Sequence, residues 1–154
     1  VLDFADFARE LTANLCFSYN ISNLKIDIDL GKMLIESRLA IQLGLCLHEA
    51  VINVLKHAFS SIPETADKIL RLSHKTEDTS NVLHIDDNGQ GMPDTLDSKD
   101  TDSLGISLIR AILTQMGGEL RIIPGIDNCL GGRGTGLVFR IPKSPLEKTK
   151  QAGQ

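Results

Sequence analysis

The sequence predicts an α/β (α+β) two-layer sandwich, one mixed β-sheet covered on one face by helices. Two observations carry this expectation. Helical and strand periodicities follow one another as helix, strand, helix, two strands, helix and two strands, without an internal repeat. The chain has 154 residues, 42% of them hydrophobic and 23% charged, which suits one globular domain with a real core.

Each element has its own signal. Residues 2–16 place Phe4, Phe7, Ala8, Leu11 and Leu15 at helical spacing. Residues 23–29 alternate through Leu24, Ile26 and Ile28, the period of a half-buried strand. A long helix is predicted from Arg38 to Ser60, stopped by Ser61-Ile62-Pro63. Strands at 67–74 and 80–86 are joined by a polar hairpin loop. Residues 92–103 are polar, acidic and aperiodic, hence a loop. A helix over 104–116 stops at Gly117-Gly118. Strands at 119–123 and 135–141 bracket a Gly-rich loop. The domain is expected to span 1–142, with 143–154 a frayed tail.

Composition excludes several functions. With no Trp, one Tyr and a net charge of −4, neither a base-stacking platform nor a phosphate-backbone binder is expected, so no nucleic-acid partner. The three cysteines, Cys16, Cys46 and Cys129, are far apart and form no C-x-x-C pair, which points to a reducing, cytoplasmic compartment. No apolar run is expected to reach membrane-spanning length and no signal peptide opens the chain, so direct membrane contact is not expected. The first residues, Val1-Leu2-Asp3-Phe4, lack a Met and read as part of something larger.

Four stretches carry candidate chemistry. On the long helix, Glu49, Asn53, Lys56 and His57 fall within one arc of about 100°, with Leu47, Val51, Val54, Leu55 and Ala58 opposite. A solvated face would also read this way. The residue types nevertheless suit metal and proton work: an Asn oxygen for Mg²⁺, a carboxylate one turn away, and two groups for phosphate charge. Asp86-Asp87-Asn88-Gly89-Gln90-Gly91-Met92 leaves a strand as an ordinary turn signal would. Alternatively, the Asp87 carboxylate accepts a hydrogen bond from the exocyclic amine of adenine, with Gly89 and Gly91 letting backbone approach the base. Leu104-Gly105 opens a helix whose N–H groups can cradle phosphate. Gly131-Gly132-Arg133-Gly134-Thr135-Gly136 is a Gly-rich hairpin loop or a phosphate-adjacent wall.

Other motifs fail. No G-x-x-x-x-G-K-[ST] is present, and Asp94 breaks the dinucleotide fingerprint after Gly89-Gln90-Gly91. A calcium loop would need ligands at His84 and Thr95, and no G-x-S-x-G elbow occurs.

Taken in order, Glu49-x-x-x-Asn53, Asp87-x-Gly89-x-Gly91, Gly105 and Gly132-x-Gly134-Thr135 resemble the Bergerat-fold GHKL ATPases. Within that superfamily the chain looks like the ATP-binding catalytic domain of a bacterial sensor histidine kinase. Asn53-Val54-Leu55-Lys56-His57-Ala58-Phe59 resembles the N box of those kinases, and Leu104-Gly105-Ile106-Ser107-Leu108-Ile109 their phosphate-loop helix. His48 before Glu49 is similar to a related subgroup whose tryptophan-bearing motif is absent here.

The resemblance implies ATP and Mg²⁺ as cofactors, with Asn53 on the metal. Glu49 then orients or deprotonates, Lys56 and His57 meet phosphates, and Asp87 reads adenine. Gly89, Gly91 and Met92 line the base pocket, Leu104 and Gly105 the triphosphate, and Gly134 and Thr135 the pocket floor. Residues 92–103 become a mobile ATP lid. Two departures stand out: the second glycine box holds one Gly, and no aromatic lies between 92 and 103.

The implied partners are a separate dimerisation domain bearing the phosphoacceptor histidine and a response regulator. Of the four histidines, only His57 is expected in the site, with His48, His74 and His84 structural or superficial. Such a chain binds ATP without autophosphorylating alone. The rival readings are an anti-sigma-type serine kinase and a nucleotide-binding module without transfer activity.

Overall fold

A computed structural model of the chain describes residues 1–92, 103–143 and 145. It opens with a two-residue strand β1 (Leu2–Asp3) and helix α1 (Phe4–Tyr19), followed by β2 (Leu24–Asp29) and the short β3 (Leu34–Ile35). Helix α2 (Ser37–Asn53) continues as one π-helical turn (Val54–Ala58). Then come β4 (Lys68–Thr76), β5 (Ser80–Asp87), α3 (Leu104–Gln115), β6 (Glu119–Asp127) and β7 (Arg133–Pro142). The main sheet has the order β2-β4-β5-β7-β6, with β2 parallel to β4 and the other pairs antiparallel. β1 and β3 pair separately, Leu2 opposite Ile35.

Three helices pack on this mixed five-stranded sheet, as the sequence predicts. The reason lies in the spacing of apolar side chains. α1 buries Phe4, Ala8, Thr12 and Cys16, one residue per turn; α2 buries Ala40, Leu43, Leu47, Ala50 and Val51; α3 buries Ile106, Ile109 and Leu113. From the strands, Leu70, Leu72, Leu83, Ile85, Leu137, Phe139 and Leu120 join the same cluster. Asp3 starts α1 by accepting from the Ala5 N–H at 3.1 Å, and its carboxylate also holds the Met33 N–H at 3.0 Å. Asn20 ends the helix in the left-handed region at φ 48°. Cys16 and Cys46 are buried, and burial pushes their thiols up to about 11 and about 12, so both act as apolar packing groups.

Several boundaries differ from expectation. The hairpin after β4 is tight: the strands stay paired to Thr76 and Asn81, and the Glu77 N–H closes the turn on the Ser80 carbonyl at 2.8 Å. β6 runs through Pro124 and Gly125, which read as loop, because an edge strand tolerates Pro. The pairing of β6 with β7 is irregular between Pro124 and Asp127. Of the expected tail, only Lys143 and Pro145 are among the described residues; Lys143 is buried and donates its N–H to the Thr79 carbonyl at 2.9 Å. Of the expected lid, 93–102 lie outside the described residues.

The expectation that no apolar run reaches membrane-spanning length needs correction. Ser37–Ala58 is 22 residues of helix with a mean hydropathy of 1.4, enough by length and composition. Its apolarity has a use in the fold, because half of that stretch is buried as the central core helix.

The fully buried Thr12 hydroxyl has no hydrogen-bond partner. An unpaired buried hydroxyl costs about 1–3 kcal/mol, so Thr12→Val, which keeps the shape, is expected to stabilise the fold by about 1 kcal/mol in urea unfolding. A destabilised variant would show that the hydroxyl is satisfied in solution.

Candidate functional site

A cavity of about 270 Å³ opens between the C-terminal half of α2, the start of α3 and the sheet. Its wall is mostly apolar, with Val54, Ala58, Ile85, Ile106, Ile122 and Leu137 facing inwards. Asp87, at the last position of β5, lines it too and is only 2% exposed. Its Oδ1 accepts the Gly89 N–H at 2.8 Å and the Thr135 N–H at 3.2 Å. Both bonds fall on one oxygen, so Oδ2 keeps its accepting capacity for a ligand. Burial raises the carboxyl to about 6, against the pull of those two N–H donors and with a small push from Asp86.

The turn that carries Asp87 is fixed from three sides. Asn88 extends the pairing with β4, its Oδ1 taking the Ile69 N–H at 2.6 Å and its Nδ2 donating to the Asp67 carbonyl at 2.9 Å. Asn128 donates to the Gly89 carbonyl at 2.7 Å while its Oδ1 holds the Leu130 and Gly132 N–H groups at 3.0 and 2.9 Å. Gln90 donates its backbone N–H to the Ala58 carbonyl at 2.7 Å and its Nε2 to the His57 carbonyl at 3.0 Å. Gln90 thereby satisfies carbonyls left open where the π turn ends.

The predicted site residues divide by position. Asp87, Gly91, Met92, Thr135, Asn53 and His57 line the cavity. Gly91 needs its glycine, with φ at +78°. Glu49 and Gly105 lie together at one edge beside Asn53: a Cβ on Gly105 would stand 3.1 Å from Glu49 Oε2 and 3.5 Å from both terminal atoms of Asn53. Gly89 is packed behind the wall, where a Cβ would overlap the Ala58 carbonyl. Gly134 is likewise a packing position, pressed on the backbone and carboxylate of Asp87. Lys56 and Leu104 are exposed and lie off the cavity wall, Leu104 at 88%.

Sequence reasoning missed Val54 and Ala58 as wall residues, having placed them on the core side of the helix. Both do pack against the core, and they line the cavity as well because it opens along the boundary between the polar and apolar faces of the helix. Asn88, Gln90 and Asn128 were missed because their partners are distant in sequence; the one local signal was Gln90 between two glycines.

The Asn53 side chain bears on metal chemistry. Its Nδ2 is buried without a hydrogen-bond partner among the described residues, so none of them fixes which terminal atom is oxygen. The carboxamide can therefore present oxygen to an ion, with the Glu49 carboxylate across Gly105. Among the described residues no group of three or more His, Cys, Asp or Glu side chains could hold a metal. The described residues thus build no dedicated cage, whereas an ion carried by phosphates needs only one or two protein oxygens.

Sequence comparison gives the family. Residues 39–145 match the histidine kinase-, DNA gyrase B- and HSP90-like ATPase family. The chain belongs to it. A curated relative, blue-light-activated histidine kinase 2 of Erythrobacter litoralis, is 25% identical over 128 residues, covering 82% of this chain. The chain spans only 34% of that relative's length. Among solved structures, the histidine kinase domain of an Erythrobacter litoralis blue-light activated histidine kinase superposes with a TM-score of 0.78 at 20% identity, over 98% of this chain and 69% of that one. The ATP-binding domain of PrrB from Mycobacterium tuberculosis superposes with a TM-score of 0.69 at 23% identity, over 93% of this chain and 96% of that one. These likenesses fix the fold of this ATPase-family domain.

Asp87 allows a stability test of the ligand-free domain. Its folded-state carboxyl, raised from 3.8 to about 6, contributes stability that is full below the ordinary value and lost as pH rises through about 6. Asn at this position keeps an oxygen for the Gly89 and Thr135 N–H groups and carries no charge. Asp87→Asn is therefore expected to be more stable than the parent at pH 7.5, by at most about 3 kcal/mol, with the difference vanishing near pH 4. Urea unfolding at both pH values checks this; equal stabilities at pH 7.5 would mean that the carboxylate is solvated.

Proposed function

We propose that this domain binds Mg-ATP and passes its γ-phosphate to a histidine on a separate dimerisation domain of the same parent protein, as the catalytic part of a two-component sensor histidine kinase. The observation that carries the reading is Asp87: a buried carboxylate on an apolar wall, one oxygen held by backbone and the other available. An adenine ring fits that environment, its faces against Val54, Ala58, Ile106 and Leu137 and its exocyclic amine donating to Asp87. Guanine offers a carbonyl there, and two oxygens would meet without a proton between them.

The phosphates then extend towards Asn53, Glu49 and the α3 N-terminus. Ser103 caps that N-terminus by accepting the Ile106 N–H at 3.3 Å, and Gly105 places no Cβ where the phosphates approach. Asn53 holds the Mg²⁺ and Glu49 stands beside it. The ion, when bound, neutralises charge on the phosphate oxygens. His57, at the cavity edge, and the exposed Lys56 meet remaining phosphate charge. In the transfer, the bond from the γ-phosphorus to the bridging oxygen breaks, ADP leaves, and a ring nitrogen of the acceptor histidine bonds to phosphorus. Glu49 takes the hydrogen bond from the other ring nitrogen and stabilises the charge that develops on the imidazole. In this reading residues 1–142 are the ATP-binding unit, and the domain works in the cytoplasm with a response regulator downstream.

Calorimetric titration with a non-hydrolysable ATP analogue tests the assignment. The parent domain is expected to bind it in a Mg²⁺-dependent way and to ignore the GTP counterpart. Asp87→Asn is expected to lose roughly 10- to 100-fold in affinity, the worth of one charged hydrogen bond. Asn53→Ala is expected to bind with little response to Mg²⁺. Equal affinity for both nucleotides, or full affinity in Asp87→Asn, would contradict the reading.

A further inference from the structure

The side chains of His48 and Glu49, adjacent on α2, approach each other closely. Neighbouring residues on a helix point about 100° apart and do not normally meet. Here the Nδ1 of His48 lies 3.4 Å from the Glu49 Oε1. That nitrogen is buried and has no hydrogen-bond partner, while the imidazole as a whole is 42% exposed. The Glu49 side chain is 26% exposed, and its two oxygens are divided between neighbours. Oε1 faces His48, and Oε2 lies over Gly105, close to the Asn53 carboxamide.

We propose that His48 is a positioning residue for phosphoryl transfer: its Nδ1–H donates to Glu49 Oε1 and turns Oε2 towards the Gly105 edge of the site. This rests on the assignment of Glu49 to the acceptor imidazole. Three facts converge on it. The buried Nδ1 needs a partner, since leaving a polar atom dry and unpaired is costly. The Glu49 carboxylate is the charged group beside it, and a hydrogen bond to a charge is the strong kind. The two atoms are within reach at 3.4 Å but not aligned as a hydrogen bond, and such contacts align and tighten when the productive complex forms. A donor on Nδ1 also fixes the tautomer, leaving Nε2 as an acceptor on the exposed side of the ring. A glutamate has two free side-chain torsions before its carboxylate, and one fixed oxygen removes most of that freedom. His48 thus acts on the rate of transfer through the orientation of Glu49, without touching nucleotide.

The test uses the full-length parent kinase, reading autophosphorylation kcat and KM for ATP, with nucleotide affinity measured separately. Asn places a side-chain N–H where Nδ1 stands, whereas Gln places its amide one atom further out. His48→Ala and His48→Gln are expected to lower kcat by roughly 10- to 100-fold, the usual cost of removing an outer group that orients a reacting one, with KM and nucleotide affinity unchanged. His48→Asn is expected to recover most of the loss. In a Glu49→Gln background, His48→Ala is expected to add nothing further. The proposal is overturned if Glu49→Gln lowers kcat while His48→Ala does not, if Asn rescues no better than Gln, or if the two losses multiply. If Glu49→Gln itself leaves kcat intact while ATP still binds, the role given to Glu49 has failed, and the proposal with it.

Discussion

A single buried carboxylate sets the terms for the rest of this site. Asp87 closes β5, and its Oδ1 ties together the backbone of two segments that are 46 residues apart, at Gly89 and Thr135. Around it, side chains have been removed so that backbone can approach: Gly134 presses on the carboxylate from β7, and Gly125 meets the Asp87 and Thr135 carbonyls from β6. Without those glycines the strands could not close behind the group, and it would be wet. Kept dry, it is raised to about 6, so that at neutral pH the domain holds a charge that folding alone would not favour. A ligand that donates to Oδ2 offsets this penalty, which is how a destabilising group comes to be useful in binding.

The two ends of the site use opposite physics. At the Asp87 end the wall is mostly apolar, and in the proposed reading recognition of the base depends on one polar atom in a dry setting, where a hydrogen bond counts for more. At the other end Glu49, Asn53 and Gly105 lie together at an edge where Glu49 remains partly exposed, suited to exchanging water for phosphate oxygens. The π turn joins the two. Val54 and Ala58 of that segment line the cavity together with Asn53, which also lies beside Glu49 and Gly105. Gln90 fastens the end of that turn to the Asp87 loop through the Ala58 and His57 carbonyls.

Much of this was legible in the sequence, for reasons that differ by element. The long helices could be read because Leu43, Leu47, Ala50 and Val51, or Ile106, Ile109 and Leu113, repeat at the period of the structure. The strands β4 and β5 could be read because Leu70, Leu72, Leu83 and Ile85 fall on one face. β1 and β3 were invisible, since two residues hold no period. Residues 124–127 were read as loop because Pro and Gly are breakers in the middle of a sheet, and nothing local says that a strand lies at its edge. In the site, Glu49, Asn53 and Asp87 stood out as polar groups in unusual surroundings. Gly89 and Gly134 stood out too, but their contacts are with Ala58 and Asp87, packing that only the fold reveals. Lys56 entered the stripe by its helical spacing; it lies on the π-helical segment, exposed and off the cavity wall.

The most direct measurement is the proton balance of nucleotide binding. Titrating the domain with the ATP analogue near pH 6, in two buffers of different ionisation enthalpy, gives the number of protons exchanged. If adenine donates to an ionised Asp87 whose carboxyl sits at about 6 in the free domain, binding releases about half a proton at pH 6 and almost none at pH 8. Asp87→Asn, at concentrations high enough to bind, removes that release. No release from the parent domain at pH 6, with binding intact, would mean that Asp87 is not the group that meets the base.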